Sequence, residues 1–535
     1  HRLLRDSAGL SGIAHLCRTT MTKEQMLVPK ILDMPCKHTL TYAAMIFLSI
    51  IVAEQKNKFI FSLQHIKTGL PKSFVSMIHI NNDLKPAGLT KKLNRFWELS
   101  AAKIGLLEKH YDATKGSPVF TVDGHYTTRG WTEWTQGFQY GAAILQFDAT
   151  GDTTMLELGR KQTVAAMAPH ISHTGVHDHG FNNVSTYGNL LRLMHEGKTT
   201  YNEWEKNFYE LALKISGAVQ ASRWTSIKDG GFIHSFNGAH SLFVDTIRSV
   251  RALILSHSLG HVLQAEGDIK ISLLERAIKH IQSTAKYAVF YGEGRDTYDV
   301  WGRTAHESVF NVKDGNFRCP NSQQGYSGFT TWTRGLAWAM CGFAEELEWF
   351  DTIDEEALRP FLPKPDLLSL MLKTAKATCD FYIDNTPSDG VPYWDTGAPD
   401  LHQLGDYLHK PADPFNAYEP VDSSAAAIAA QGLLRLGRYL QQKGEQQTGD
   451  RYWQAGLTVL DTIFEEPYLS IRDNHQGLLL HSIYHRPNGW DHIPAGSKIP
   501  YGESSMWGDY HAREAALYIQ RIINSDTYHT FFNIG

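Results

Sequence analysis

Gln323–Leu347 reads QQGYSGFTTWTRGLAWAMCGFAEEL. Taken as a helix from about Thr331, it sets Trp332, Leu336, Met340, Phe343 and Leu347 on one face at i, i+4, i+8, i+11 and i+15. Arg334 and Trp338 fall on roughly the opposite face. A surface helix has one apolar stripe and a solvated back. This one has a core stripe behind and a cation beside an indole in front, which suits a helix with protein on one side and a lined cavity on the other.

Working outward, twelve helical patterns separated by polar, Gly- and Pro-bearing loops are expected, near 93–112, 133–149, 153–168, 185–197, 201–221, 242–261, 269–290, 331–350, 365–384, 422–441, 449–465 and 506–523. Strand alternation is nearly absent and confined to stretches such as Gly477–Tyr484. No fixed-period repeat signals a solenoid. Six helical hairpins closing into a ring, an all-α (α/α)6 barrel, is the expected fold, its inner helices the even-numbered ones. The barrel is expected to be the catalytic domain and to occupy 91–535.

Ahead of it, MPCKHTLTYAAMIFLSIIVAEQ from Met34 has a Lys-bearing start, an apolar run Leu40–Val52 and a small residue before Glu54. That is the layout of a secretory signal peptide, expected at 34–53, and the run is short for a membrane span. Met34 is then the expected start, 1–33 is no part of the mature protein, and 54–90 is a loosely structured lead-in. Export to the periplasm or medium follows, with no membrane association of the mature form. The net charge of −5 gives no basic footprint for nucleic acid. Five cysteines show neither metal spacing nor a disulfide framework, and disulfides are not expected to be structural.

The even-numbered helices and the loops before them hold the unusual residues. The second opens with GWTEWTQGF, bringing Trp131, Glu133 and Trp134; VHDHGFNN, with His177, Asp178 and His179, precedes the fourth. In the sixth, LFVDTIRSVRALILSHSLG, an apolar stripe of Phe243, Ile247, Val250 and Ile254 lies opposite Asp245, Ser249, Ala252 and Ser256. Asp422 or Ser423 is the natural N-cap of the tenth.

Asp178 and Asp245 are the expected working pair. Two carboxylates in one enclosed cavity disfavour each other's ionisation, so one keeps a proton near neutral pH while the other tunes it. Glycosidic chemistry needs such a proton donor. His170, His173, His177 and His179 lack the spacing of a helical or finger metal site, and single histidines lining a sugar site fit better. His306 is another of that kind. No metal and no cofactor are expected. There is no nucleophile elbow, P-loop or dinucleotide fingerprint.

In order over about 130–523, WTQGF, HDHGF, VDTIRS, QGYSGFTTWTRGLAW, VPYWDTGAP, DSSAAAIAAQGLL, LLLHSIYHRPNG and MWGDY resemble the landmarks of the unsaturated glucuronyl hydrolases, glycoside hydrolase family 88, and more distantly the unsaturated rhamnogalacturonyl hydrolases of family 105. The resemblance implies an (α/α)6 barrel acting on uronic-acid-containing oligosaccharides that end in a Δ4,5-unsaturated uronic acid. It implies Asp245 as general acid/base and Asp178 as the essential second carboxylate. It places Trp134, His177, His306, Gln324, Trp332, Arg334 and Trp338 around the sugar, with Arg334 either forking the uronate carboxylate or bracing the barrel. Two departures stand out: His179 after Asp178, and Ile247-Arg248-Ser249-Val250 after Asp245. An arginine so close to the acid is expected to lower its pKa or to mark a different aglycone. A saturated β-glucuronidase on the same barrel and a non-catalytic carbohydrate-binding protein are the alternatives.

Overall fold

The structure, a computed structural model, describes residues 76–129 and 133–534. The expected leader 34–53, the segment before it, most of the lead-in and Trp131 lie outside the described residues.

Twelve main helices appear among the described residues: α1 (Thr90–His110), α2 (Gln136–Thr150), α3 (Thr153–Ala166), α4 (His179–Asn183, a π turn at Val184–Gly188, then Asn189–His195), α5 (Glu203–Ser222), α6 (Thr246–Ser249 and Arg251–Ser258), α7 (Leu273–Tyr287), α8 (Thr333–Thr352), α9 (Lys364–Asn385), α10 (Ser423–Gln442), α11 (Gln446–Ile463) and α12 (Met506–Asn524). The even-numbered helices pack side by side in a closed ring, α2 to α4, α6, α8, α10, α12 and back to α2. Of the odd-numbered helices, α3, α5, α9 and α11 lie against the inner partners α2, α6, α8 and α10. This is the expected (α/α)6 barrel.

Residue chemistry explains the two layers. Outer α1 buries Leu93, Phe96, Trp97, Ser100, Lys103, Ile104 and Leu107, one stripe at helical spacing, and leaves the rest partly or fully exposed. Inner α10, SSAAAIAAQGLLRLGRYLQQ, is buried from Ser423 to Gly437, and its small residues let neighbouring helices approach. Asp422 is its N-cap, accepting from the Ser424 N–H at 3.1 Å.

Four readings need correction. The sixth helix does not begin near 242. Ser241–Phe243 is a strand paired with Glu307–Phe310, which pairs in turn with Phe317–Asn321. Its hydrogen-bond partners lie more than sixty residues away, beyond the reach of a local periodicity. Asp245 is therefore the residue before the helix and not a mid-helix carboxylate. The fourth helix starts at His179, ahead of the expected 185, because the π turn adds a residue to one turn and breaks the 3.6-residue pattern. Strands, expected to be nearly absent, number nine short ones among the described residues, all in connections between helices. Gly477–Tyr484 pairs antiparallel at one bridge, Leu479 with Leu469, and goes no further as a strand: the Leu478 and Leu479 N–H groups donate to Asp509 at 2.9 and 2.8 Å. Cys319, Cys341 and Cys379 are free thiols. No helix among the described residues is long and apolar enough to cross a membrane.

Candidate active site

Asp178 and Asp245 occupy equivalent places, each at the N-cap position of an inner helix, and neither side chain caps it. An aspartate there ordinarily accepts from a first-turn N–H, a bond worth about 1 kcal/mol. Both forgo it, which leaves their carboxylates for another task.

A close crossing brings the two together. A Cβ on Gly180 would sit 2.1 Å from the Ser249 carbonyl oxygen, so α4 and α6 touch backbone to backbone at this glycine. The Gly180 N–H donates to Ser249 Oγ at 3.0 Å. The Ser249 hydroxyl in turn donates to the His177 carbonyl, which also accepts from Gln220 Nε2 at 2.8 Å. His177 is thereby fixed between the carboxylates: its Nε2 lies 3.8 Å from Asp178 Oδ1 and 3.7 Å from Asp245 Oδ1. All three residues are buried. Both His177 ring nitrogens and Asp245 Oδ1 have no hydrogen-bond partner among the described residues. Most buried polar atoms are satisfied, so an orphaned carboxylate oxygen beside an orphaned imidazole in the wall of a pocket is what a candidate ligand site would show.

Charge divides the pair against expectation. Burial raises the Asp178 carboxyl; His177 pulls it back, the Asp245 charge adds to the rise, and the result is an elevated pKa. Burial also raises Asp245, but the nearby His177 imidazole and, beyond it, His306 outweigh it and hold Asp245 below the usual range. Of the two carboxylates it is Asp178, not Asp245, whose pKa is raised. Burial disfavours the His177 cation, yet the two carboxylates overcome it and raise its pKa, which favours a proton on the imidazole. Arg248, expected to retune the acid, is not what lowers Asp245. Its guanidinium turns away to Glu345 at 2.9 Å and Glu514 at 2.6 Å.

Trp134, His177, Asp178, Asp245, Gln324, Trp332, Arg334 and Trp338 all line one pocket. Trp332 is there because it is the N-cap of α8 and leaves the core stripe on which its spacing had put it. Trp134 stacks on Trp507 with ring centroids 5.1 Å apart. His306 is not among the lining residues. It lies buried with its ring 4.4 Å from Phe243 and 4.6 Å from Trp332. Its Nδ1 accepts the Gln323 N–H at 2.9 Å, and burial keeps the ring neutral, its pKa lowered to about 4.

Arg334 takes the bracing role. Its two terminal nitrogens donate to Asp422 Oδ2 (2.8 Å), the Ile483 carbonyl, Gln324 Oε1 (2.9 Å) and the Tyr484 carbonyl (2.6 Å). Four terminal N–H groups meet four acceptors, and the guanidinium also lies 4.7 Å from the Trp332 ring and 4.9 Å from Trp507. Because Gln324 Oε1 faces Arg334, its amide NH2 is left as the donor, with no partner among the described residues.

The histidine run disperses. His170 pairs with Gln136 at 2.8 Å, and His179 bridges Ser216 and the His173 carbonyl at 3.0 and 2.9 Å. His179 is thus a tie between α4 and α5. Phe236, Tyr484, His485 and Trp490 also line the pocket and were missed as site residues. The density of histidine and aromatic residues in HSIYHRPNGWDH (481–492) was a usable signal; Phe236, in a loop before a strand, gave none. The enclosed space is about 40 Å³, room for a few waters.

No protein-family model matches the chain. It is 25% identical over 398 residues to an unsaturated glucuronyl hydrolase of Bacillus sp. (strain GL1), covering 73% of this chain and 87% of that relative. It is 24% identical over 411 residues to an unsaturated chondroitin disaccharide hydrolase of Streptococcus pyogenes, covering 74% and 84%. A crystal structure of an unsaturated glucuronyl hydrolase from Streptococcus agalactiae superposes with a TM-score of 0.63 at 19% identity, over 87% of this chain and 99% of the other. The barrel is shared, and the resemblance carried by the motifs is borne out.

Proposed function

We propose that this chain is a glycoside hydrolase that removes a terminal Δ4,5-unsaturated uronic acid from lyase-generated oligosaccharides by hydrating the enol ether. The observation that carries this reading is the trio of buried, unpartnered atoms, His177 Nδ1 and Nε2 and Asp245 Oδ1, on the wall of an aromatic-lined pocket. Similarity to relatives named for this activity supports it.

Asp245 is the general acid/base. Its proton is at hand, because His177 Nε2 is held charged 3.7 Å from Asp245 Oδ1. An incoming uronate adds negative charge and expels water, and both raise the Asp245 pKa. The proton then passes from imidazole to carboxylate, and from carboxylate to C4 of the sugar. Positive charge develops at C5, stabilised by the ring oxygen. Water adds there and gives its proton to the same Asp245 carboxylate. The hemiketal so formed opens and expels the remaining saccharide. One carboxylate serves as acid and then base, and no glycosyl-enzyme bond is needed, unlike the two-carboxylate schemes. Asp178 holds His177 charged and in place. Arg334 positions Gln324 and does not itself bind the uronate, since its terminal N–H groups are occupied.

The apolar run Leu40–Val52 behind Lys37 supports export of the enzyme. The test of function is an ultraviolet assay on unsaturated disaccharides. Hydration removes the absorbance of the conjugated acid, so the signal falls with turnover. Persistent absorbance together with cleavage of a saturated β-glucuronide would replace this reading with direct displacement.

A further inference from the structure

We propose that the chain carries a second, non-catalytic site, for one divalent transition cation of the zinc class, held by Asp123, His492 and Glu503, with the buried His475 beside Glu503. These residues line a separate cleft of about 600 Å³, outside the catalytic pocket. Ligand atoms of Asp123, His492 and Glu503 all lie within 4.8 Å of one another. His475 is the independent observation: it is 3% exposed, lines the same cleft, and its Nε2 has no hydrogen-bond partner among the described residues.

The spacing of the three suits one small cation with a fourth position left open to water. Zinc bonds of about 2.0–2.2 Å to nitrogen and oxygen set neighbouring ligand atoms about 3.4 Å apart. His492 Nε2 lies 3.4 Å from Asp123 Oδ1, and His475 Nε2 lies 3.8 Å from Glu503 Oε2. An imidazole among the ligands favours zinc and its neighbours over calcium or magnesium, which seek all-oxygen shells.

The surroundings hold these groups in place. Glu503 accepts the Asp123 N–H at 2.9 Å and the Thr121 hydroxyl. Asp123 has φ +50°, a left-handed conformation unusual for a residue with a side chain. The adjoining Gly124, φ +80°, rides on the His475 ring, where an added Cβ would meet Cδ2 at 3.1 Å. His475 Nδ1 lies 3.0 Å from the Gly477 nitrogen and 3.2 Å from the Gly477 oxygen, so the ring has a partner in either tautomer. The tautomer donating to the carbonyl leaves Nε2 as an unprotonated, unpartnered nitrogen 3.8 Å from Glu503 Oε2. Arg472 also lines the cleft, with an exposed side chain able to swing away.

A cation here would fasten the substrate wall. His492 is two residues from Trp490, and the intervening Asp491 accepts the N–H groups of Tyr484 and His485; all three of these partners line the catalytic pocket. The experiment is calorimetric titration of zinc chloride into tag-free, chelator-stripped full-length protein, with a thermal melt alongside. One equivalent and a raised melting temperature are expected, with affinity reduced at least about tenfold in Asp123→Asn and in His492→Ala. Asp123 is exposed, so the first variant tests the site without burdening the fold. Absence of saturable binding, unchanged affinity in both variants, or loss of binding in His177→Asn instead would overturn the proposal.

Discussion

Asp245 and Arg248 stand three residues apart at the head of α6, both buried, and the protein treats them in opposite ways. Arg248 points into the barrel axis, where Glu345, Glu514, Gln431 and His511 meet it from α8, α10 and α12. Asp245 points into the pocket and has an oxygen with no partner among the described residues. A buried charge whose contacts are filled holds helices in register. A buried charge left short of contacts costs stability and can be kept only for what it does to a ligand. One turn of helix separates the brace of the barrel from its proposed acid/base.

Substitution should pull these roles apart. Asp245→Asn is expected to lower kcat by about 10²- to 10⁴-fold, the usual weight of a general acid/base, in the ultraviolet assay. Its melting temperature should hold or rise, since no hydrogen bond to Oδ1 is lost. Arg248→Met is expected to do the reverse. It strands Glu345 and Glu514 without their main cation and should cost about 3–5 kcal/mol in denaturant unfolding, while the folded fraction keeps its turnover. If Arg248→Met stays stable but inactive, the contrast between the residues is wrong.

Gly180→Ala probes the crossing that makes both regions possible. An added methyl group would sit 2.1 Å from the Ser249 carbonyl oxygen, and backbone cannot yield as a side-chain tip can. About 1–3 kcal/mol of destabilisation is expected from overpacking, with a fall in kcat as Asp178 and Asp245 are pushed apart. Unchanged kcat would mean that the crossing supports the fold without setting the carboxylate geometry.

Much of this contrast was legible before the structure. Inner helices such as α10 announce themselves as small and apolar on every side, while outer helices such as α1 carry a single stripe, so helix order and layer could be read locally. Asp245 stood out as a carboxylate beside a buried stripe, and Asp178 as the carboxylate of the His-Asp-His run ahead of the fourth helix. What was not legible depends on distant partners. Ser241–Phe243 became a strand because Glu307–Phe310 lies beside it, and that moved Asp245 from a helix interior to its threshold. Arg334 could have been a fork or a brace until Asp422, Ile483 and Tyr484 were seen to occupy it. Arg248 looked like a neighbour of the acid in sequence, and only the direction of its side chain assigns it to the axis.

The smallest expected effect tests whether His177 is the proton store. Its pKa stands above the ordinary imidazole value because Asp178 and Asp245 oppose the effect of burial. A raised pKa means that the proton is present at lower pH and lost as pH climbs through that raised value, so the alkaline limb of the kcat/KM profile should follow His177. Asp178→Asn removes one of the two charges holding the proton, lowers the His177 pKa, and should move that limb to lower pH. The Asp178 side chain makes no helix cap, so the fold should tolerate the change. A merely structural Asp178 would scale the whole profile down and leave the limb where it was. A limb that moves upward instead would mean that the proton is held by a carboxyl group, and the path from imidazole to Asp245 to C4 would have to be abandoned.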